Sequence, residues 1–114
     1  MLNSGKKVYR VIITSNARDS LKDIVNHIKN KQKAPLIARM VKEELLNQIL
    51  SLESFPEKFS KELFLEGLTG NYRSLVKWRY KIIYKVLADE VWVLKIIHTS
   101  QNPADIIRLM GVDL

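Results

Sequence analysis

The stretch from Asn71 to Asn102 constrains the fold of this chain more than any other part of the sequence. It reads NYRSLVKWRYKIIYKVLADEVWVLKIIHTSQN, in which aromatic and β-branched residues dominate. Such residues suit a pleated, half-buried surface. We therefore predict three strands, at Asn71–Val76, Arg79–Leu87 and Val91–Ile97, with Ala88–Glu90 forming a tight hairpin between the last two.

The sequence before this stretch predicts one strand followed by two helices. Val8–Ile13 is rich in β-branched residues, and Ser15 and Asn16 are both N-cap candidates for a first helix. Pro35 suits the first position of a second helix, which Pro56 ends. Apolar residues recur at the spacing of one helix face, namely Ala17, Leu21, Ile24, Val25 and Ile28 in the first helix and Ile37, Met40, Val41, Leu45, Ile49 and Leu52 in the second.

The order of these elements predicts one α+β domain over residues 1–114, with the arrangement β-α-α-β-β-β-α. Asn102 as N-cap, Pro103 at the first position and Asp105 at the third signal a short C-terminal helix that runs through Met110. The apolar faces of the two earlier helices need a partner, and the sheet offers the available surface. We expect an antiparallel helical hairpin that covers one face of an antiparallel sheet.

The charge balance and the absent residue types exclude several classes of function. A net charge of +7 predicts attraction to nucleic acid, an anionic membrane or an acidic protein. The chain has no cysteine, so a disulfide or thiolate site is excluded, and its two histidines are too far apart to indicate a metal site. No apolar run approaches the roughly 18 residues that a transmembrane helix needs. We expect a cytoplasmic protein with no metal, no cofactor and no membrane partner.

Basic side chains alternate with the apolar residues of the predicted strands and form a candidate site. A sheet that buries apolar groups and displays cations suits an anionic target. Lys95 on the last predicted strand adds to this charge. The alternative is a solvated basic edge that discourages sheet-to-sheet aggregation. The candidate residues for binding a target or nucleic acid are Arg73, Lys77, Arg79, Lys81 and Lys85, together with Tyr84.

Histidine and aromatic side chains extend this candidate site. His98 lies near the basic strands and can exchange protons near neutral pH, but strand alternation would equally carry it into a packed or turn-stabilising position. His27 lies beside the apolar face of the first helix and is interpreted as a surface residue. Tyr72, Tyr80 and Tyr84 could stack on bases or donate protons, although the spacing of Tyr80 and Tyr84 favours core packing for at least one of them. Trp78, next to a predicted turn, can remain partly exposed for contact.

Several local patterns occur in an order and spacing that are together more specific than any one of them. A strand leads through Thr14 and Ser15 into a helix, and further patterns follow as far as Pro103. They are Ala17, Leu21 and Ile24, then Ser54-Phe55-Pro56, Tyr72-Arg73, YKIIYKV from Tyr80 to Val86, and IIHTSQNP from Ile96 to Pro103. Together they resemble the RelE/ParE superfamily, the toxin halves of bacterial type II toxin–antitoxin modules, over nearly the whole chain. The resemblance implies a growth-inhibiting toxin that a cognate antitoxin neutralises.

In RNA-cleaving members of the superfamily, the resemblance implies that cations on these strands hold phosphates and stabilise the transition state. Cutting RNA by its own 2′-hydroxyl needs a proton acceptor, a proton donor and fixed positive charge. Arg79, Lys81 and His98 would be the catalytic residues if the protein is a ribonuclease. Lys81, however, stands where the superfamily pattern has arginine, and lysine cannot make the two-pronged phosphate contact of a guanidinium group.

This departure favours the ParE-like branch, whose members poison DNA gyrase. After Ile97 the chain has only Arg108 and no tyrosine, whereas the RNA-cleaving branch usually has more of both. The resemblance therefore implies a gyrase-directed toxin, and the net charge of +7 would attract the acidic tail of its antitoxin. The alternatives are a ribosome-dependent mRNA endoribonuclease, which would be an enzyme, and a non-toxic basic RNA-binding domain. Arg79 and Lys81 are expected at exposed strand positions, where replacement costs little stability.

Overall fold

A computed structural model describes residues 7–62 and 69–101, and it has the expected order of one strand, two helices and three strands. The α+β class is therefore confirmed. The predicted C-terminal helix after Asn102 lies outside the described residues. Within residues 7–62 and 69–101, no helix is both long and apolar enough to cross a membrane. The elements are β1 (Arg10–Ile13), α1 (Ser15–Asn26), α2 (Pro35–Leu50), β2 (Asn71–Lys77), β3 (Tyr80–Val86) and β4 (Glu90–His98).

Thr14, rather than Ser15 or Asn16, caps the first helix. Its backbone is extended, and its Oγ1 accepts a hydrogen bond from the N–H of Ala17 at 3.2 Å. The same hydroxyl donates to the carbonyl oxygen of Val93 at 2.8 Å. One side chain thus ends β1, begins α1 and fixes both to β4, which satisfies a free N–H of the helix terminus. After α1 the chain continues through a π-helical turn, His27–Lys31, before α2 begins at Pro35 as predicted.

The sheet is mixed, which corrects the expectation of a purely antiparallel one. Its strand order is β1-β4-β3-β2. The pairs β2–β3 and β3–β4 are antiparallel, but β1 runs parallel to β4. A parallel pair needs a long connection between its strands, and the two helices with the β2–β3 hairpin provide it here. The short N-terminal strand therefore covers only the first half of β4.

One core joins the helices to the sheet. The predicted face of α1 is buried or half-buried throughout, but Ile37 and Met40 of α2 are 51% and 55% exposed. Ala38 is buried instead, because it lies on the same helix face as the other buried residues, one turn before Val41. The buried residues of this core are Ala17, Leu21, Ile28, Ala38, Val41, Leu45, Ile49, Leu52, Leu75, Ile82, Tyr84, Val86, Val91, Val93 and Ile96.

A β-bulge in β4 changes which face its later residues occupy. Ile83 pairs with Lys95, whereas the next residue of β3, Tyr84, pairs with Val93, so Leu94 is the extra residue. A bulge shifts the alternation of side chains by one position. His98 therefore lies across from Tyr80 on the helix side of the sheet, and simple alternation along β4 does not place it.

The hairpin between β2 and β3 has an unusual residue in its two-residue loop. Lys77 pairs with Tyr80, and Trp78 and Arg79 form the loop. Trp78 has a φ of 54°, while Arg79 does not have a positive φ. A positive φ at the first loop residue alone is typical of a type II′ turn, which favours glycine there. A bulky residue in this conformation carries strain.

Because the strain comes from the Cβ atom, Trp78→Gly should be more stable than Trp78→Ala by about 1 kcal/mol in the free energy of unfolding. Both variants lose the indole, so their difference isolates the backbone cost. Urea denaturation followed by circular dichroism measures it. The same pair of changes at Val76, an exposed residue inside β2, should favour alanine. An alanine variant at position 78 that equals or exceeds the glycine variant would contradict the strain.

Candidate functional site

Arg73, predicted to bind a target, instead holds a neighbouring segment of the chain. Its guanidinium group donates to the carbonyl oxygens of Glu57 and Phe59 at 3.1 and 2.7 Å. It also donates to Asn71 Oδ1 at 3.0 Å and lies 3.5 Å from the Glu57 carboxylate. Its side chain is only 14% exposed. The donors of this arginine are therefore used to fix the stretch 56–62, which we call the 56–62 segment.

The backbone of the 56–62 segment pairs with the outer edge of β2. The N–H of Ser74 donates to Ser60 at 3.1 Å, and the N–H of Glu62 donates to Tyr72 at 2.9 Å. Lys61 forms an antiparallel bridge with Arg73. The segment thus covers part of the outer edge of β2, which would otherwise be open to pairing with another chain.

Lys81 is bound to a buried carboxylate at the end of this segment. Its Nζ lies 3.1 Å from both carboxylate oxygens of Glu62. The side chain of Glu62 is 2% exposed and that of Lys81 is 19% exposed. The expectation of an exposed Lys81 is therefore wrong, and its ammonium group compensates a carboxylate that has little contact with water.

Tyr84 is a core residue, so the prediction that it contacts a target is wrong. Its side chain is fully buried, and its hydroxyl donates to the carbonyl oxygen of Pro56. Burial raises the pKa of this phenol, mainly because an anion would lose its hydration. The alternative of core packing holds for this tyrosine. Together with Arg73 and Lys81, it makes β2 and β3 the anchors of the 56–62 segment.

Lys77 and Lys85 make looser contacts on either side of this arrangement. Lys77 Nζ lies 3.4 Å from a carboxylate oxygen of Glu44 in α2 and 5.1 Å from the ring centroid of Trp78. The pKa of Glu44 is lowered, first by the hydrogen bond from Gln48 and then by Lys77. Lys85 lies over the ring of Tyr72, 5.2 Å from its centroid. Both lysines rest on aromatic faces, a contact of modest strength at exposed sites.

Arg79 and His98, by contrast, line an open cleft between α1 and the end of β4. The cleft has a volume of about 730 Å³. No hydrogen bond or ion pair joins the side chains of Arg79 and Lys95 to any residue of the stretches 7–62 and 69–101. The lining residues are Ser20, Asp23, Ile24, His27, Gln32, Arg79, Tyr80, Lys95, Ile96, His98 and Gln101.

His98 stabilises the turn that follows β4 as well as lining the cleft. Its Nδ1 accepts a hydrogen bond from the N–H of Ser100 at 3.1 Å and lies 2.7 Å from the Ser100 hydroxyl. Its ring meets that of Tyr80 edge-on, with centroids 6.0 Å apart. Because a backbone N–H can only donate, Nδ1 is the acceptor, and the ring proton of a neutral His98 lies on Nε2. In this tautomer His98 offers the cleft a donor and no free basic nitrogen.

Sequence reasoning missed most of the cleft residues, including two that carry a basic side chain. His27, interpreted as a plain surface residue, lines the cleft, and so does Lys95, which was not among the predicted site residues. A signal for the first was present, since Ser20, Asp23, Ile24 and His27 have the spacing of one helix face. Across the two described stretches, no group of three or more histidine, aspartate or glutamate side chains is placed to hold a metal ion.

Comparison with known proteins decides the family. The sequence profile described as "ParE toxin of type II toxin–antitoxin system, parDE" matches residues 11–103. The chain belongs to the ParE toxin family. It is thus a toxin of a type II toxin–antitoxin system, as the resemblance to the RelE/ParE superfamily implied.

A solved structure supports the ParE fold. It is described as the "Chromosomal ParDE TA system from P. aeruginosa", and it matches with a TM-score of 0.65 at 18% sequence identity. The match covers 80% of this chain and 96% of that one. At this identity the likeness shows the fold alone. A search of the curated proteins found no match.

Variants of the Lys81–Glu62 ion pair test whether Lys81 stabilises the fold of this ParE toxin. Lys81→Met should lower the free energy of unfolding by about 3 kcal/mol or more, because it leaves a buried carboxylate without its cation. Replacing both residues, with Glu62→Leu and Lys81→Met, should recover most of that loss. Urea denaturation of the four proteins of this double-mutant cycle measures both effects.

Lys85→Met is the matched control for this cycle, since Lys85 lies on the same strand and the same face but makes a cation–π contact with Tyr72 rather than an ion pair with a described residue. It should cost about 1 kcal/mol or less, in the range of a surface cation–π contact. Equal losses for the Lys81 and Lys85 variants would show that the buried pair contributes nothing special to folding.

Proposed function

We propose that this ParE-family toxin inhibits growth by poisoning DNA gyrase and is neutralised by a cognate antitoxin with an acidic tail. The observation that carries the proposal is the pairing of Lys81 with the buried carboxylate of Glu62. In RNA-cleaving relatives the resemblance implies a phosphate-binding arginine at this position. Here the position holds a lysine whose charge is compensated within the protein, so it is a poor source of positive charge for a phosphorane.

Other groups that RNA cleavage would need are also engaged. The guanidinium group of Arg73 donates to backbone oxygens of the 56–62 segment. The Nδ1 of His98 accepts from Ser100, which removes one nitrogen as a proton acceptor. After β4, the described residues Thr99, Ser100 and Gln101 supply neither arginine nor tyrosine. These features support a toxin that acts by binding its target.

One observation favours the alternative of a ribosome-dependent mRNA endoribonuclease. Arg79 and His98, two of the three predicted catalytic residues, line the same cleft, and so does Tyr80, which follows Arg79 and pairs with His98. A cation, an imidazole and a phenol in one cleft are groups used in acid–base cleavage of RNA. This alternative makes a distinct prediction, because it requires RNA cleavage that depends on Arg79.

The two mechanisms give opposite results with purified components. Toxin added to gyrase and plasmid DNA should trap cleaved complexes, seen as linear plasmid after detergent and protease treatment. In cells, induction should raise the DNA-damage response while transcripts stay whole. Codon-specific cleavage of mRNA on purified translating ribosomes, reduced about 100-fold or more in Arg79→Ala, would overturn the gyrase proposal. Lys29→Ala, an exposed lysine of the π-helical turn, is the control for general loss of charge.

The antitoxin can be tested with the product of a neighbouring short reading frame. Co-expression should give a complex that survives affinity purification, and growth should recover. Because the toxin has a net charge of +7, the association rate should fall about tenfold or more as salt rises from low to high ionic strength. An acidic neighbour that fails to co-purify even at low salt would count against it as the partner.

A further inference from the structure

The indole of Trp78 is exposed at the tip of the β2–β3 hairpin. It is 50% exposed, and its backbone has the strained positive φ. Lys77 lies over the ring and is fixed by Glu44, whose carboxylate also accepts from Gln48 at 2.8 Å. Strained residues persist where surrounding contacts hold them, and they cluster at functional sites. The ring is thus presented to solvent with Lys77 on one of its faces.

Two cations near this ring differ from Arg73 and Lys81 in the partners that their side chains have. Arg79 follows Trp78 directly, and Lys95 lines the same cleft as Arg79. Neither has a hydrogen-bonding or ionic partner within the described stretches, whereas Arg73 and Lys81 both do. Of the described residues that line the cleft, Arg79 and Lys95 are cationic and Asp23 is anionic, so the lining is net positive and favours an anionic ligand. An exposed aromatic ring beside a positively charged groove is the combination that proteins use for single-stranded nucleic acid.

The cleft beside the tip has room and donors for a nucleotide. Its volume of about 730 Å³ lies in the range of small-molecule sites. Gln101 uses its side-chain oxygen to accept the N–H of His98 at 3.1 Å, which leaves the amide donors for a ligand. With the Nε2 proton of His98, the cleft offers neutral donors as well as the charges of Arg79 and Lys95. Phosphate oxygens accept from groups of both kinds.

We propose that the tip formed by Lys77, Trp78 and Arg79, with the adjoining cleft, binds single-stranded DNA. An unpaired base stacks on Trp78, and the phosphates contact Arg79 and Lys95. Duplex DNA does not fit this arrangement, because its bases are not free to stack on an indole. The choice of DNA rests on the proposed action on gyrase, since DNA is the polymer that gyrase holds.

The chain contains two tryptophans, which makes the binding directly visible. In Trp92→Phe, Trp78 is the only fluorophore of its kind, and titration with a single-stranded oligothymidylate should quench its emission. With a labelled oligonucleotide and fluorescence anisotropy, Trp78→Ala should weaken binding about 5- to 150-fold and Arg79→Ala about tenfold. Trp78→Tyr keeps a stacking ring and should bind within about threefold of wild type.

Phe55→Ala is the matched control, because Phe55 is also an exposed aromatic residue with a positive φ but lies outside the tip and cleft. It should bind like wild type, and circular dichroism checks that every variant is folded. Absence of quenching, or wild-type binding by Trp78→Ala, would overturn the proposal. Equal or tighter binding of an acidic peptide, or tenfold tighter binding of the matching RNA, would overturn the assignment to DNA.

Failure of this proposal is separable from failure of the gyrase proposal. The oligonucleotide titration contains no gyrase, and the plasmid assay reads trapped gyrase complexes. If the toxin binds the oligonucleotide through Trp78 but traps no gyrase, the proposed DNA site is supported and the proposed gyrase function is overturned. If the toxin traps gyrase but the oligonucleotide does not quench Trp78, the proposed gyrase function is supported and the proposed DNA site is overturned.

Discussion

The buried carboxylate of Glu62 determines how this toxin uses its positive charge. A carboxylate that is 2% exposed must be compensated, and Lys81 supplies the cation. The pair fixes the end of the 56–62 segment, while Arg73 and Tyr84 hold its beginning through backbone oxygens. As a result, the cations of the sheet and its hairpin loop have two different roles. Arg73 and Lys81 stabilise the fold, whereas Arg79 in the loop and Lys95 on β4 have no hydrogen bond or ion pair within the described stretches.

Sequence patterns predicted helices and strands closely where neighbouring residues alone determine them. The strand predicted at Val91–Ile97 is Glu90–His98, and Pro35 begins α2 as expected. Errors arose where a distant partner decides the outcome. Thr14 caps α1 because its hydroxyl also reaches Val93, which is far away in sequence. The parallel pairing of β1 with β4 likewise depends on how the helices pack, and no single segment contains that information.

The dependence on distant partners also explains why the sequence did not predict the roles of the site residues. Sequence alone cannot separate Lys81 from Arg79, since both are cations in one apolar stretch. Their difference comes from Glu62, which lies in a loop that periodicity did not assign to any element. The bulge at Leu94 is a further long-range feature, since it moves His98 relative to Trp92 and so changes which side chains share the cleft. Net charge predicted an anionic partner, but only the pairing of each cation separates those that hold the fold from those that have no partner within the described stretches.

This division also changes how loss-of-function variants of the toxin should be interpreted. A variant of Lys81 exposes an uncompensated buried carboxylate, so its loss of toxicity would follow from a weakened fold even if Lys81 touches no target. A variant of Arg79 breaks no hydrogen bond or ion pair within the described stretches, so its loss of toxicity reports on contact with the target. Toxicity can therefore be assigned to a cation of this sheet only when stability is measured in the same variant. In proteins that pair some of their cations internally, sequence alignment to a catalytic position is weaker evidence than the partner that the side chain already has.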